Sequence, residues 1–131
     1  MFTGPNIITD GLIAYFDTTN LKEAAQNAQF ITSHCDGAFV LAQAGLLDGK
    51  VSTTFPSDID AMRERFPDLD IRKEVLFVHD GQYSTSAGGA KSFEAALYLC
   101  EYLYGAAVAR RLAQGLVIDW DLTEVPHLVI E

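Results

Sequence analysis

The segment FITSHCDGAFVLAQAGLLDG, residues 30–49, constrains the fold more than any other part of the chain. A short apolar run ends at Cys35, and Asp36-Gly37 opens eleven residues, 37–47, that carry no charge. The pattern predicts a strand, a sharp turn and a helix. That helix is apolar on every side (Ala38, Phe39, Val40, Leu41, Ala42, Ala44, Leu46, Leu47), so neighbouring elements must cover most of it. DGK at 48–50 ends it, with Gly49 suited to a left-handed turn.

The rest of the chain repeats the alternation of helical and extended segments. Residues 10–29 read as one or two short helices broken near DTTN, and KVSTT reads as a strand. PSDIDAMRERFP has helix punctuation: Ser57 as cap, Asp58 and Asp60 in the first turn, Arg63 and Arg65 near the end, Pro67 as stop. EVLFVHDGQYSTS predicts two strands around Asp80-Gly81. Over residues 90–104, Phe93, Leu97, Cys100 and Tyr104 recur at helical spacing, opposite Glu94 and Glu101, and Gly105 closes the element. A further helix, AAVARRLAQGL, precedes LVIDWDL and HLVIE. Helices alternating with β-branched runs predict an α/β layered fold with helices on both faces of a sheet.

At 131 residues the chain fits one domain, and 49% hydrophobic against 21% charged residues allows a buried core. A formal charge of −9 argues against a direct nucleic-acid partner, which usually needs a basic face. No apolar run approaches the roughly 18 residues needed to cross a bilayer, and MFTGPNIITDG lacks the basic flank and apolar block of a secretory signal. A cytoplasmic protein with no membrane association is expected. Two cysteines, Cys35 and Cys100, form neither a disulfide framework nor a CxxC pair, and His34, His79 and His127 have no metal spacing. No metal and no cofactor is expected.

Strand, turn and helix around a cysteine match the geometry of a nucleophile elbow. Such a turn presents the side chain at the end of a sheet, needs small neighbours (here Gly37 and Ala38), and places helix N–H groups where they stabilise a thiolate. Asp36, if ionised, opposes this by placing a negative charge beside the thiol; if protonated, it is a hydrogen-bond donor. The pattern leaves open whether Cys35 is a reactive thiol or a buried small hydrophobe. Cys100, on the apolar side of its helix, reads as core. His34 precedes Cys35, and adjacent strand residues face opposite ways, so it reads as a poor base for that thiol. His79 and His127 read as surface residues.

ITSHCDGAFVLAQAGLLDGKVSTTF, followed by FPDL, LFVHDGQYSTSAGG, ALYLCEYLYG and LVIDWDL, resembles the ThiJ/PfpI family of glutamine-amidotransferase-like domains. The similarity lies in the branch with isocyanide hydratase-like proteins and the sensor halves of AraC-type regulators, and it runs in order through residues 27–122. It implies a flavodoxin-like three-layer α/β/α sandwich with a mostly parallel sheet. It also implies that residues 1–131 form a single domain, incomplete at its N-terminus, because the family's first βα unit and its acidic residue have no counterpart before MFTGPN. A sheet without those strands is expected to expose an edge and leave the helix after Cys35 partly uncovered.

The resemblance makes Cys35 the nucleophile, with Asp36 as a modulator in place of the family's usual Thr or Asn. It places Gly37 and Ala38 in an oxyanion-type pocket, Gly4 (from a remnant Gly4-Pro5 loop) beside them, and Ser86 and Gly88 in a loop, STSAGG at 84–89, near the same pocket. Two functions follow. One is a cysteine-dependent hydratase or hydrolase acting on an isocyanide or reactive carbonyl; the other is a non-catalytic ligand- or redox-sensing domain. The expected partners are a small molecule and a second copy of the chain in a homodimer. A glutamine amidotransferase is disfavoured, since no HPE-like segment follows residue 80.

Overall fold

The computed structural model describes residues 18–131. Gly4, the remnant loop and most of the first helical stretch lie outside the described residues. The described chain begins with α1 (Thr18–Asn27) and passes through β1 (Ile31–His34) and α2 (Gly37–Gln43). Next come β2 (Val51–Ser52), a 3-10 turn (Pro56–Asp58), α3 (Ile59–Arg65) and β3 (Asp70–Ile71). A hairpin, β4 (Phe77–Asp80) and β5 (Tyr83–Ser86), is followed by a 3-10 turn (Gly89–Lys91) and two helices, α4 (Ser92–Tyr104) and α5 (Ala106–Gly115). A last 3-10 turn (Leu122–Glu124) leads into β6 (His127–Ile130).

The main sheet has the order β1-β5-β4-β6. β1 runs parallel to β5 and β6 parallel to β4, while the β4–β5 hairpin supplies the one antiparallel pairing in that order. β2 and β3 pair in parallel as a separate ribbon. The ribbon is tied to the sheet by the Val51 N–H, which donates to Asp80 Oδ2 at 2.7 Å, and by the Thr53 N–H, which donates to Thr85 Oγ1 at 2.9 Å.

Two apolar clusters form the layers. One joins α2 and α3 to Leu47, Ile71 and Tyr83, and the other packs α4 and α5 on Phe77 and Trp120. The expected layered α/β sandwich with a mostly parallel sheet is the observed fold.

Several local expectations need correction. α2 stops at Gln43 rather than Leu47, because Gly45 takes φ +77° and turns the chain. It is well covered, with Ala38, Phe39, Leu41 and Ala42 buried. Ser57 caps nothing: it lies within the 3-10 turn, and α3 starts at Ile59 with no side-chain cap. The stripe through Phe93 and Tyr104 is not the buried face of α4, since these residues are 53% and 70% exposed. The buried positions are Ala95, Leu97 and Tyr98, and Cys100 is half-buried. Glu101 is not simply solvated, because Oε2 accepts a 2.6 Å hydrogen bond from Trp120 Nε1.

His79 is a core residue, 4% exposed, and not a surface one. Its Nε2–H donates to the Gly81 carbonyl at 2.8 Å, and Nδ1 and the Tyr98 hydroxyl share a 2.7 Å hydrogen bond. His127 is half-buried and stacks on Phe77. Among the described residues, no helix is long and apolar enough to cross a membrane.

Candidate functional site

β1 ends at His34, and the chain must reverse within two residues to enter α2. Cys35 makes that turn at φ +52°, a left-handed conformation that is uncommon for a side-chain-bearing residue. Such strain persists only where the surroundings hold it, and it clusters at functional sites. The surroundings here are specific. The Gly89 N–H donates to Cys35 Sγ at 3.3 Å. Gly88, at φ +84°, lies directly against the thiol, and a Cβ there would sit 2.1 Å from Sγ and 2.5 Å from the Cys35 nitrogen.

The 88–89 backbone thus closes over the sulfur, and Cys35 is only 6% exposed. The hydrogen-bond donor that reaches it, the Gly89 N–H, opens the 3-10 turn that follows β5. α2 is a short helix whose first residues, Gly37 and Ala38, lie at the turn with Ala38 fully buried.

Asp36 lies beneath the turn with no solvent exposure. The Thr54 hydroxyl is 3.0 Å from the Cys35 carbonyl and 3.1 Å from Asp36 Oδ1, so one side chain clamps both elbow residues. The Asp36 carboxyl is pushed up to about 6. Burial is the largest cause, followed by the hydrogen bond to the Asp58 carboxyl and its like charge, with the Thr54 hydroxyl and the Phe55 N–H acting in the opposite sense.

Ser86 does not sit in a loop. Residues 84–86 belong to β5, and only Ala87 and Gly88 form the connection to the following 3-10 turn. The Ser86 hydroxyl and His34 Nδ1 share a 2.8 Å hydrogen bond across the β1–β5 register, where the two residues are partners. His34 therefore contacts Ser86 and not Cys35, and burial lowers its pKa, which favours the neutral ring. Of the expected site residues, the structure brings Cys35, Asp36, Gly37, Ala38 and Gly88 to one turn. Ser86 is engaged on the neighbouring strand.

Two cavities flank this turn. One of about 290 Å³ is bounded by Thr53, Thr54, Pro56, Ile59, Leu76 and Ala87. The other, about 260 Å³, opens between His34, Ser84, Ala95, Leu99, Cys100 and Leu103. The thiol lines neither of them. Thr54, Asp58 and Gly89 are the participants that motif reading did not single out for the site. Gly89 lay inside a recognised segment, whereas nothing in the local sequence links Asp58 to Asp36.

No family model matches the chain. It is 40% identical over 98 residues to the HTH-type transcriptional regulator CdhR of Pseudomonas aeruginosa, covering 75% of this chain and 29% of that protein. It is 34% identical over 91 residues to an isonitrile hydratase of Pseudomonas putida, covering 69% of this chain and 38% of that protein. In structure it is similar to a ThiJ/PfpI family protein from Pseudomonas syringae, with a TM-score of 0.67 and 26% identity over 86% of this chain and 43% of that one. The chain thus spans less than half the length of each of these proteins.

Proposed function

For a chain that belongs to the ThiJ/PfpI family, we propose a small-molecule-sensing role in which the Cys35 thiol is the reacting group. The observation that carries this reading is the strained elbow, with Cys35 at φ +52° and its sulfur held on the Gly89 N–H. An inert core cysteine needs neither feature. Similarity to a transcriptional regulator over three quarters of the chain points toward sensing.

Among the described residues, the donor to the sulfur is a backbone N–H, and no side chain positioned to shuttle a proton is hydrogen-bonded to Sγ. That suits a single covalent event better than repeated turnover. With a peroxide, the thiolate sulfur attacks one oxygen, an S–O bond forms and the O–O bond breaks. The departing hydroxide takes up the proton released when the thiol ionised and leaves as water. Sulfur loses two electrons to give a sulfenic acid, and the peroxide gains them.

The second reading is a cysteine-dependent hydratase, supported by the similarity to an isonitrile hydratase. There Cys35 would add to the electrophilic carbon, with Gly37 and Ala38 N–H groups and the Gly88 backbone around the developing charge. The reading includes a homodimer, as a paired sensor would be. Substoichiometric peroxide followed by intact-mass analysis, run beside an isocyanide turnover assay, separates the two. A single oxygen added at Cys35 with no turnover supports sensing, and sustained isocyanide consumption supports the hydratase.

A further inference from the structure

Asp36 Oδ2 and Asp58 Oδ2 are both buried, and neither has an N–H or O–H donor. Asp58 acts on the Asp36 carboxyl both as a hydrogen-bonding group and as a like charge. Two carboxyl groups form such a bond only when one of them carries a proton. A doubly ionised pair would leave two buried, negatively charged oxygens without compensation.

We propose that Asp36 and Asp58 share one proton, and that this proton sets the charge felt by the Cys35 thiol, with Asp58 as a positioning residue that acts through Asp36. The proposal rests on Cys35 being the reactive group, but the shared proton itself does not.

The surroundings of Asp36 favour this arrangement. Among the described residues, the groups acting on it are Asp58, the Thr54 hydroxyl and the Phe55 N–H, and no cation is among them. The charged groups next along α3 and β3 are engaged elsewhere. Lys73 Nζ lies 3.0 Å from Asp60, and Arg63 donates to the Ile71 carbonyl at 2.6 Å. With the proton in place, the pair holds one negative charge, and the Pro56–Asp58 turn is tied to the elbow. When it leaves, two negative charges lie behind the thiol, and the thiolate is disfavoured. Cys35 should then gain less reactivity from rising pH than an isolated thiol does.

The test is the rate of Cys35 alkylation by iodoacetamide from pH 5 to pH 9 in wild type and Asp58→Asn, read by peptide mass spectrometry. Beside it, infrared difference spectra between wild type and Asp36→Asn follow the carboxylic-acid carbonyl stretch. Wild type should show a flattened rise near pH 6 that Asp58→Asn lacks, with the variant reacting roughly fivefold faster at pH 7.5. The carbonyl band should vanish around pH 6.

Superimposable rate profiles with Cys35 still reactive overturn the coupling and leave the reactive-thiol reading standing. If Cys35 alkylates in neither protein, that reading fails, and the infrared band decides the pair. Loss of the band near pH 6 supports a shared proton; loss near pH 4, or no band, overturns it. Should Asp36→Asn not fold, Asp58→Asn serves as the infrared reference.

Discussion

The Gly88 Cα is pressed so closely against Cys35 that any side chain at residue 88 would collide with the sulfur, its Cβ falling 2.1 Å from Sγ. The left-handed turn at residue 35 and the glycine at residue 88 are therefore one device. The elbow thiol has room only because residue 88 carries no side chain.

Gly88→Ala is the sharpest test of that device. The added methyl must displace backbone atoms of residue 35, and φ +84° disfavours any side chain. A loss of about 3 kcal/mol or more in urea unfolding is expected, together with loss of selective Cys35 modification. Gly49 has a positive φ with open space around it, so Gly49→Ala should cost only about 1 kcal/mol and leave Cys35 chemistry intact.

Thr54→Val removes the hydroxyl that serves both the Cys35 carbonyl and Asp36 Oδ1 while keeping the volume. A destabilisation of about 1–3 kcal/mol is expected, since two buried acceptors lose their donor. The Asp36 carboxyl also loses a group that favours its ionised form, so its titration should move further upward. Infrared titration of the carbonyl band reads that shift.

Asp36 gives stability a defined pH dependence. Its folded pKa, about 6, lies above the ordinary carboxyl value, so the folded chain holds a proton that the unfolded chain has released. This contribution is fully present below the unfolded pKa of about 4, declines as pH rises, and is gone above about 6. Urea unfolding between pH 4 and pH 8 should show that decline in wild type. Asp36→Asn should abolish it.

Much of the elbow is legible in residues 30–49 because its determinants are local: a short strand, a thiol, small residues and an uncharged helix. The hairpin is legible for the same reason, through Asp80-Gly81. What escapes local reading is set by contacts distant in sequence. His79 looks like a residue beside a turn until Tyr98, from α4, comes to meet its ring. Phe93 and Tyr104 fit a helical stripe, but α5 and the sheet select Ala95, Leu97 and Tyr98 instead. Asp58 reads as a helix-start acid, and only the fold brings its carboxyl to Asp36.

The His79–Tyr98 pair offers a control away from the thiol. Tyr98→Phe leaves His79 Nδ1 buried without its partner, so a loss of about 1–2 kcal/mol is expected. Tyr98 itself is pushed up to about 12 by burial, then by Tyr102 and Glu101, so the hydroxyl stays a donor at any ordinary pH. Cys35 modification rates should be unchanged in folded Tyr98→Phe protein.

The most direct measurement sets the two cysteines against each other in the native protein. Cys35 is buried and Cys100 is half-buried, so access alone favours Cys100. Limiting hydrogen peroxide at pH 5.5, where the Asp36–Asp58 pair keeps its proton, followed by peptide mass spectrometry, should place oxygen on Cys35 at least about tenfold faster than on Cys100, because the Gly89 N–H is held on the sulfur where negative charge develops. Equal rates, or faster reaction at Cys100, would mean that the elbow holds an ordinary buried thiol and would contradict the functional account.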